Sequence, residues 1–257
     1  MTDGLVSIIM PSWNTATFIA ESIQCVINQT YHNWELIIVD DCSTDDTDAV
    51  VQPFLSDKRI IYLHNEKNSG AALTRNKALR QAQGEWIAFL DSDDLWMPEK
   101  LDKQIAFMKE NEYVLSYTEY EKMDEEDNPL NIYVTGPDTV NKRKMYNYDY
   151  IGQLTMMYSA KFFGVVQIKD IKKNNDYAIR LQLFKKDGIE AHLLKENLAK
   201  YRVRKKSISH DKLSRKLRSH YDLFRKCDDK PRIVAIWYAC WNMWYGLQKK
   251  QIYEKAK

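Results

Sequence analysis

The stretch WIAFLDSDD, residues 86–94, joins a short apolar run to a cluster of three carboxylates. Its apolar part has the length and composition of a strand that is buried on both faces. In extended backbone, side chains two residues apart point the same way, so Asp91 and Asp93 can face one crevice. Two carboxylates at a strand end suit a hard cation such as Mg²⁺ or Mn²⁺, although a solvated acidic turn has the same pattern.

Outward from this stretch, strand-like and helix-like segments alternate over the first hundred residues. Apolar runs predict strands over 5–10, 34–40 and 60–63. Helical spacing predicts helices between them, the second of which would be capped by Ser43 and the third of which would cover 71–83. This alternation is typical of an α/β fold with a mostly parallel sheet flanked by helices.

Polar side chains follow three of the predicted strands, at residues 11–14, 40–41 and 91–94. Because ligands of such sheets bind beyond the carboxyl ends of the strands, we expect these residues to converge on one crevice. No G-x-G-x-x-G follows the first strand and no G-x-x-x-x-G-K-[ST] occurs, which excludes a dinucleotide fingerprint and a P-loop.

The second half of the chain has a different pattern. Residues 114–123 and 130–135 flank an acidic turn and predict a hairpin, and residues 141–152 predict a loop. A helix is expected to open at Asp176, followed by a basic strand or loop that ends at Arg204. The tail from residue 213 predicts helices.

Composition limits the classes of protein that fit. A chain of 257 residues is long enough for one large domain or for one domain with an appendage, and a content of 44% hydrophobic residues excludes disorder. The four cysteines are scattered and form no C-x-x-C pair, which favours a reducing compartment and argues against a zinc knuckle. The N-terminal residues carry no secretory pattern, so a cytoplasmic location is expected.

The tail is basic although the chain as a whole is nearly neutral. From Lys200 to Lys257 there are 17 Lys and Arg against 5 Asp and Glu, while the net charge is +2. This predicts an anionic partner, either a membrane surface or a nucleic acid, or else a merely solvated face. Residues 233–247 are apolar and rich in tryptophan, but shorter than the ~20 residues that span a bilayer. They predict either peripheral membrane contact through 213–250 or a helix packed on the core or in a homodimer.

Together, these motifs resemble the family 2 glycosyltransferases of the GT-A fold. The matching segments are VSIIMPSWN (6–14), QTY (29–31), WELIIVDDCSTDDT (34–47), Gly70 through Arg75 to Glu85, and FLDSDDLWMP (89–98), with a looser match from Asp149 to Ser209. The resemblance implies a GT-A catalytic domain over 1–210. Its nucleotide-sugar half would be 1–100 and its acceptor half 101–210, followed by a basic, aromatic helical extension over 211–257.

The resemblance also implies a set of site residues. Those implied to bind the nucleotide sugar are Pro11, Trp13, Asn14, Asp41, Arg75, Asp91, Ser92, Arg204 and Lys205. Asp41 would contact the uracil, and Asp93 would ligate Mn²⁺ or Mg²⁺. Other roles stay open for four of these residues: Trp13 as a core residue, Asn14 as a chain turn, Asp41 as a helix cap and Arg75 as a structural anchor of the acidic crevice.

A catalytic base is the second requirement that the resemblance addresses. Inverting transfer needs a group that deprotonates the acceptor hydroxyl. The segment NNDYAIRL (174–181) matches the helix start that carries this aspartate in the family, which implies Asp176. The family usually has Glu or Gln where this chain has Asn175. An ordinary helix cap is the alternative role for Asp176.

The implied activity is inverting, metal-dependent hexosyl transfer from a UDP-sugar to a glycan hydroxyl, commonly lipid-linked, in bacterial O-antigen or capsule synthesis, with no nucleic-acid partner. Two other interpretations compete with it. A nucleotidyltransferase would need a Gly/Arg/Lys-rich phosphate loop where residues 11–14 stand. A membrane- or polyanion-binding protein with a degenerate transferase domain fits poorly with the retained Asp41, Asp91, Asp93 and Asp176.

Overall fold

The structure, a computed structural model, describes residues 1–204 and 213–256, the side chains of 248–251 and 256 excepted. Its strands are β1 (Thr2–Ser12), β2 (Trp34–Asp40), β3 (Ile60–His64), β4 (Gly84–Phe89), β5 (Leu95–Trp96), β6 (Leu115–Met123), β7 (Pro129–Val134), β8 (Thr139–Asn141), β9 (Met157–Ser159), β10 (Glu190–Arg202) and β11 (Glu254–Ala256). Its α-helices are α1 (Ile19–Ile27), α2 (Thr47–Val51), α3 (Ala71–Gln81), α4 (Lys100–Glu110), α5 (Lys142–Asn147), α6 (Ala160–Phe163), α7 (Asn175–Leu183), α8 (Leu213–Asp222) and α9 (Arg232–Tyr253).

All strands of the described residues belong to one sheet. Its order is β11-β7-β6-β9-β4-β1-β2-β3, and β10 pairs with β5, β6 and β8. The run β4-β1-β2-β3 is parallel, whereas β9 is antiparallel to both β4 and β6. The predicted α/β class with helices on the sheet is thus confirmed. The first four strands are parallel, and the sheet beyond them is mixed, with β10 parallel to β6 and antiparallel to β5 and β8.

The apolar runs of β1, β2 and β4 are buried on both faces, as their unbroken apolar sequence predicts, whereas the edge strand β3 is mostly half-buried. Successive residues of a strand face opposite sides, and Ile8 and Ile9 lie in different apolar clusters. One cluster packs against α1 and the other against α3 and α7. The carboxyl ends of these strands are therefore held between two cores.

The prediction that Ser43 caps the second helix is wrong. That helix begins at Thr47, after Asp46. The Ser43 hydroxyl instead donates to the Asp40 carboxylate and accepts from the backbone N–H of Asn14 at 2.8 Å. Ser43 thus connects the ends of two neighbouring strands, and its local sequence does not indicate this role.

The predicted hairpin is confirmed by the antiparallel pair β6–β7, but the loop predicted over 141–152 is wrong. Residues 139–141 form β8, and α5 follows with the Asn141 side chain accepting from the Lys144 N–H at 3.0 Å. This helix is six residues long and buries only Met145 and Tyr146. So short an element leaves no helical period in the sequence.

The C-terminal extension contains α8, a π-helical turn at Leu223–Cys227, and α9. One side of α9 is buried at Ala235, Ala239 and Asn242. After α9 the chain adds β11, a strand that the sequence did not predict, to the edge of the sheet beside β7. Across residues 1–204 and 213–256, no helix combines the length and apolarity that crossing a membrane requires.

Candidate active site

The strand ends of the parallel run converge, as their register requires. Ser12 is level with Asp40 across β1–β2, and Ile9 with Phe89 across β1–β4. A cavity of about 810 Å³, hereafter the donor cavity, opens beyond them. The predicted site residues that line it are Pro11, Trp13, Asn14, Asp41, Arg75, Asp91, Ser92, Asp93, Asp176 and Arg204. Lys205 lies outside the described residues.

Trp13 and Asn14 form one rim of the donor cavity. The Trp13 side chain is 51% exposed, so the alternative of a core tryptophan does not hold. Asn14 has a φ of 51°, a left-handed conformation that asparagine tolerates. Its side-chain oxygen accepts from the Thr44 N–H at 2.8 Å. Asn14 thus turns the chain and also holds the neighbouring loop in place.

Asp41 is buried at the next strand end and holds the loop before α3. Its carboxylate accepts from the Asn65 side chain at 2.7 Å and from the backbone N–H groups of Ser69 at 2.7 Å and Gly70 at 2.8 Å. Gly70, with a φ of 81°, immediately precedes α3. Both N–H groups belong to residues that precede α3, so Asp41 holds the loop and does not cap the helix, and the same carboxylate borders the cavity.

Arg75 connects the strand ends to the helix of the candidate base. Its buried guanidinium forms an ion pair with Asp91 and donates to the Asn175 side chain at 2.5 Å. Its Nε has no hydrogen-bond partner among the described residues. Asn175, where the chain departs from the family pattern, is thus a neutral acceptor for this arginine.

The acidic cluster divides into two kinds of carboxylate. Asp93 faces Arg204, with 3.3 Å between the carboxylate and the guanidinium, and its pKa is raised by burial first and by the charge of Asp91 second. Asp94 is 2% exposed and accepts from the Arg202 N–H at 2.9 Å. Burial raises the pKa of Asp94 well above its usual range. Asp94 therefore serves the structure of the turn.

Arg202 is a site residue that the sequence did not identify. It is buried, and its guanidinium donates to the Asp93 carbonyl at 2.8 Å, to Asp127 at 2.5 Å and to Glu21 at 3.0 Å. These partners lie in the acidic cluster, the β6–β7 turn and α1. Arg202 fixes the backbone of Asp93 from behind, and no local pattern marks such a role.

Asp176 lies in the first turn of α7, after Asn174 in a left-handed conformation with a φ of 57°. Its carboxylate accepts from the Tyr177 N–H at 2.9 Å, lies 3.3 Å from Arg180, and is 45% exposed. Burial raises the pKa of Asp176, but the charges of Arg180 and Arg75 outweigh it and hold the pKa below the usual value. Asp176 is therefore ionised at neutral pH and open to a ligand.

Arg180 and Asp149 form a buried pair behind Asp176 that sequence reasoning missed. Arg180 donates to Asp149 through Nε at 2.7 Å and to Gln153 at 2.6 Å. Burial raises the pKa of Asp149 to about 6, against the opposing effect of Arg180. The i,i+4 spacing of Asp176 and Arg180 was the one available signal.

Within residues 1–204 and 213–256, no group of three or more His, Cys, Asp or Glu side chains is arranged to hold a metal. The acidic cluster offers Asp91 and Asp93, each paired with an arginine. Mg²⁺ and similar ions are often held by one or two carboxylates together with substrate phosphates and water. This donor set fits an ion shared with a phosphate-bearing ligand.

The sequence model of Glycosyl transferase family 2 matches residues 7–170. The chain is 42% identical over 209 residues, 81% of its length and 82% of the relative's, to the putative teichuronic acid biosynthesis glycosyltransferase TuaG of Bacillus subtilis (strain 168). It is 36% identical over 249 residues, 97% of its length and 96% of the relative's, to the Escherichia coli UDP-Glc:alpha-D-GlcNAc-diphosphoundecaprenol beta-1,3-glucosyltransferase WfgD.

Solved structures share the fold at low sequence identity. S. aureus TarS 1-349 in complex with UDP-GlcNAc aligns with a TM-score of 0.70 at 22% identity, over 90% of this chain and 69% of that one. The Pyrobaculum calidifontis mannosyltransferase PcManGT in complex with GDP-Man and Mn²⁺ aligns with a TM-score of 0.61 at 17% identity, over 91% and 69%. The expected GT-A fold is confirmed.

Proposed function

The chain belongs to glycosyl transferase family 2, and from this premise we propose that it transfers a sugar from a UDP-sugar to a hydroxyl of a lipid-linked glycan, with inversion. Glycosyltransferase activity follows from the family, and the matched relatives include enzymes of bacterial polysaccharide synthesis. The observation that carries the finer proposal is that Asp93, Arg204 and Asp176 line one cavity. A cation site, a counter-charge for the leaving group and a base are thus within one space.

A UDP-sugar donor is supported by charge and by the relatives. Among the described residues that line the donor cavity, six are cationic and four acidic. The cationic ones are Arg75, Lys172, Lys173, Arg202, Arg204 and Lys216. The excess suits a diphosphate. WfgD is named for UDP-Glc, and TarS was solved with UDP-GlcNAc. The exposed ring of Trp13 offers a stacking face for the uracil, with Asp41 beside it.

Asp93, with Asp91 beside it, would hold Mn²⁺ or Mg²⁺ in this proposal. When bound, such an ion neutralises negative charge on the diphosphate. Burial and the nearby Asp91 raise the pKa of Asp93, and a divalent cation would offset both effects. Arg204, now paired with Asp93 at 3.3 Å, is close enough to contribute a second positive charge to the leaving group.

Asp176 is the proposed base. A carboxylate that is ionised at neutral pH and 45% exposed can accept the proton of an acceptor hydroxyl. Its contact with Arg180 at 3.3 Å orients the carboxylate. Arg75 and Asn175 link α7 to Asp91, which sets the base relative to the donor. In this way the acceptor hydroxyl would be positioned for in-line attack.

A lipid-linked acceptor is supported by the name of WfgD, which specifies a diphosphoundecaprenol substrate. It is also supported by α9, where Ile233, Trp237, Trp244 and Leu247 are 51–82% exposed. Their spacing of four, seven and three residues places them on one side of the helix. Exposed basic residues, among them Arg225, Lys226 and Arg232, precede this stripe along the chain. We assign it to an anionic membrane surface, and a homodimer is the competing occupant.

Calorimetric titration of UDP, with and without Mn²⁺, tests the proposal. We expect Mn²⁺-dependent UDP binding by the wild-type protein, and loss of that dependence in Asp93→Ala because the ion loses its ligand. Asp187→Asn, a change of an exposed carboxylate in the turn after α7, serves as the control. Equal UDP affinity in Asp93→Ala with metal would refute the ligand role. A screen of UDP-sugars for slow hydrolysis then identifies the sugar.

A further inference from the structure

A second cavity, of about 310 Å³, lies next to the donor cavity and is hereafter called the tyrosine cavity. The two cavities share Asp91, Asp176 and Tyr201 as lining residues. The proposed base therefore borders both spaces. A group in the tyrosine cavity could present a hydroxyl to Asp176 while a nucleotide sugar occupies the other side.

Aromatic rings form much of the wall of this cavity. The tyrosines that line it are Tyr120, Tyr148, Tyr150, Tyr201 and Tyr253. Several meet edge to face, with ring centroids 5.6 Å apart for Tyr148–Tyr150 and 5.9 Å for Tyr150–Tyr253. Tyrosine combines a broad apolar ring with a hydroxyl that forms hydrogen bonds. A pyranose has the matching character, with an apolar C–H face and a rim of hydroxyl groups.

The charge of the tyrosine cavity is opposite to that of the donor cavity. Five carboxylic residues line it against one arginine: Asp91, Asp94, Asp149, Asp176 and Glu254 against Arg180. Arg75 and Lys122 pair with two of these acids from outside the lining. Even without Asp94, whose pKa burial raises well above its usual range, the four other acids outnumber the three cations, so the cavity disfavours anions. Carboxylates are hydrogen-bond acceptors, and hydroxyl groups donate to them.

The end of the chain builds one wall of this cavity. β11 pairs antiparallel with β7, with Glu254 level with Val134. The Tyr253 carbonyl accepts from the Thr135 N–H at 3.0 Å, and Lys122 lies 2.9 Å from the Glu254 carboxylate. These contacts hold the Tyr253 ring and the Glu254 carboxylate at the cavity.

We infer that the tyrosine cavity binds the ring of the terminal sugar of the acceptor, that this ring is an uncharged pyranose rather than a uronic acid, and that Tyr253 and Glu254 contribute to its recognition. The inference rests on the proposed transferase function and specifies its acceptor. A volume near the lower end of the ~300–1,000 Å³ range of small-molecule pockets suits a terminal unit better than a long glycan.

Saturation-transfer NMR with two probes tests this assignment. Methyl β-D-glucopyranoside and methyl β-D-glucuronide share a ring and differ in one carboxylate. At neutral pH we expect the neutral glycoside to bind the wild-type protein and the uronate to bind at least about tenfold more weakly. Equal or tighter binding of the uronate would overturn the charge argument. No binding of the neutral glycoside, with or without UDP, would overturn the site itself.

Variants of the tail locate the binding. Tyr253→Ala should weaken glycoside binding about tenfold, whereas Tyr253→Phe keeps the ring and most of the affinity. Glu254→Gln should bring uronate binding closer to that of the neutral glycoside, because a negative charge is removed. Lys255→Gln is the matched control, since Lys255 is the next residue of the same strand and is exposed. Unchanged binding in Tyr253→Ala would contradict the role of the tail.

Each sample is also titrated with UDP and Mn²⁺. Failure of UDP to bind the wild-type protein counts against the proposed function. The glycoside measurements made without UDP then still decide whether the tyrosine cavity binds a pyranose. Loss of UDP binding in Tyr253→Ala alone would indicate a damaged fold, and in that case Tyr253→Phe and Glu254→Gln decide.

Discussion

The donor cavity and the tyrosine cavity meet at Asp176 but are built in different ways. The donor cavity is lined by the carboxyl ends of parallel strands and by basic residues. The tyrosine cavity is assembled from the β6–β7 hairpin, residues 148–154, α7 and the tail. One has an excess of cationic side chains and the other an excess of acids. Charge can therefore direct the nucleotide sugar to the donor cavity and leave the tyrosine cavity to a neutral acceptor before the base acts.

This difference also determines which forces hold each ligand. A nucleotide diphosphate is attracted to the donor cavity by charge, which acts over several ångströms. A neutral sugar has only contact and hydrogen bonding to hold it, so its site has to be shaped by rings and fixed acceptors. Changes in one cavity should therefore leave binding to the other largely intact.

The largest effect is expected from Asp176→Asn, which changes a residue common to both cavities. Sugar transfer should fall by about 10²–10⁴-fold, because the acceptor hydroxyl loses its base. UDP affinity and glycoside binding should stay close to the wild-type values. Rates with a UDP-sugar and an acceptor, compared with calorimetric UDP binding, make the measurement. Retained turnover in Asp176→Asn would place the base elsewhere, with Asp149 the next residue to change.

An intermediate effect on sugar transfer is expected when the pH is lowered. The group that titrates is Asp149, which lines the tyrosine cavity and not the donor cavity. Burial raises the pKa of Asp149 to about 6, so its negative charge is present above that pH and is lost below it. Protonation leaves the buried Arg180 to pair with Asp176 alone, which lowers the basicity of Asp176. Transfer should decline as the pH falls through about 6, whereas UDP binding should not.

Asp149→Asn should remove this decline. The variant is expected to transfer sugar at a reduced rate that stays level from about pH 8 to about pH 5, since Asp176 titrates below its usual value. The pH profile of kcat/KM for the acceptor is the measurement. An unchanged acid limb in Asp149→Asn would assign it to another group.

The smallest effect on either cavity is expected from changes to the exposed stripe of α9. A double change, Trp237→Glu and Trp244→Glu, should reduce sedimentation with anionic vesicles about tenfold or more, because two interfacial rings are replaced by charges. UDP and glycoside binding should be unchanged. Gel filtration of the same variant tests the competing occupant: a wild-type dimer that the changes convert to a monomer would assign the stripe to a second copy.

The parallel half could be predicted from the sequence because its signals are local. The run 34–40 is apolar from end to end and is observed as β2 with the predicted bounds. Polar residues after such strands must meet at one sheet edge, so the sequence was sufficient to predict that Asp41 and Asp93 border the same cavity. Assigning the base to Asp176 depended on resemblance, and the structure places this residue beside Arg75 and Arg180 without testing its role.

The second half was less predictable because its contacts join distant parts of the chain. β11 lies beside β7 more than a hundred residues away, and its three residues carry no strand period. Asp149 and Arg180 are 31 residues apart, and each looks like an ordinary charged residue in its own segment. Ser43 shows the same limit on a smaller scale, since its hydroxyl prefers Asp40 to a helix end.

The buried guanidinium of Arg202 has a consequence for protein engineering. It reaches the acidic turn, the hairpin turn and α1 at once, so the backbone of Asp93 is positioned by a strand that lies more than a hundred residues later. A chimera that exchanges donor halves between relatives at residue 100 would separate these partners. Grafts that carry β10 along with the first hundred residues should preserve donor binding, whereas those that omit it should fold their parallel strands and still misplace the carboxylate.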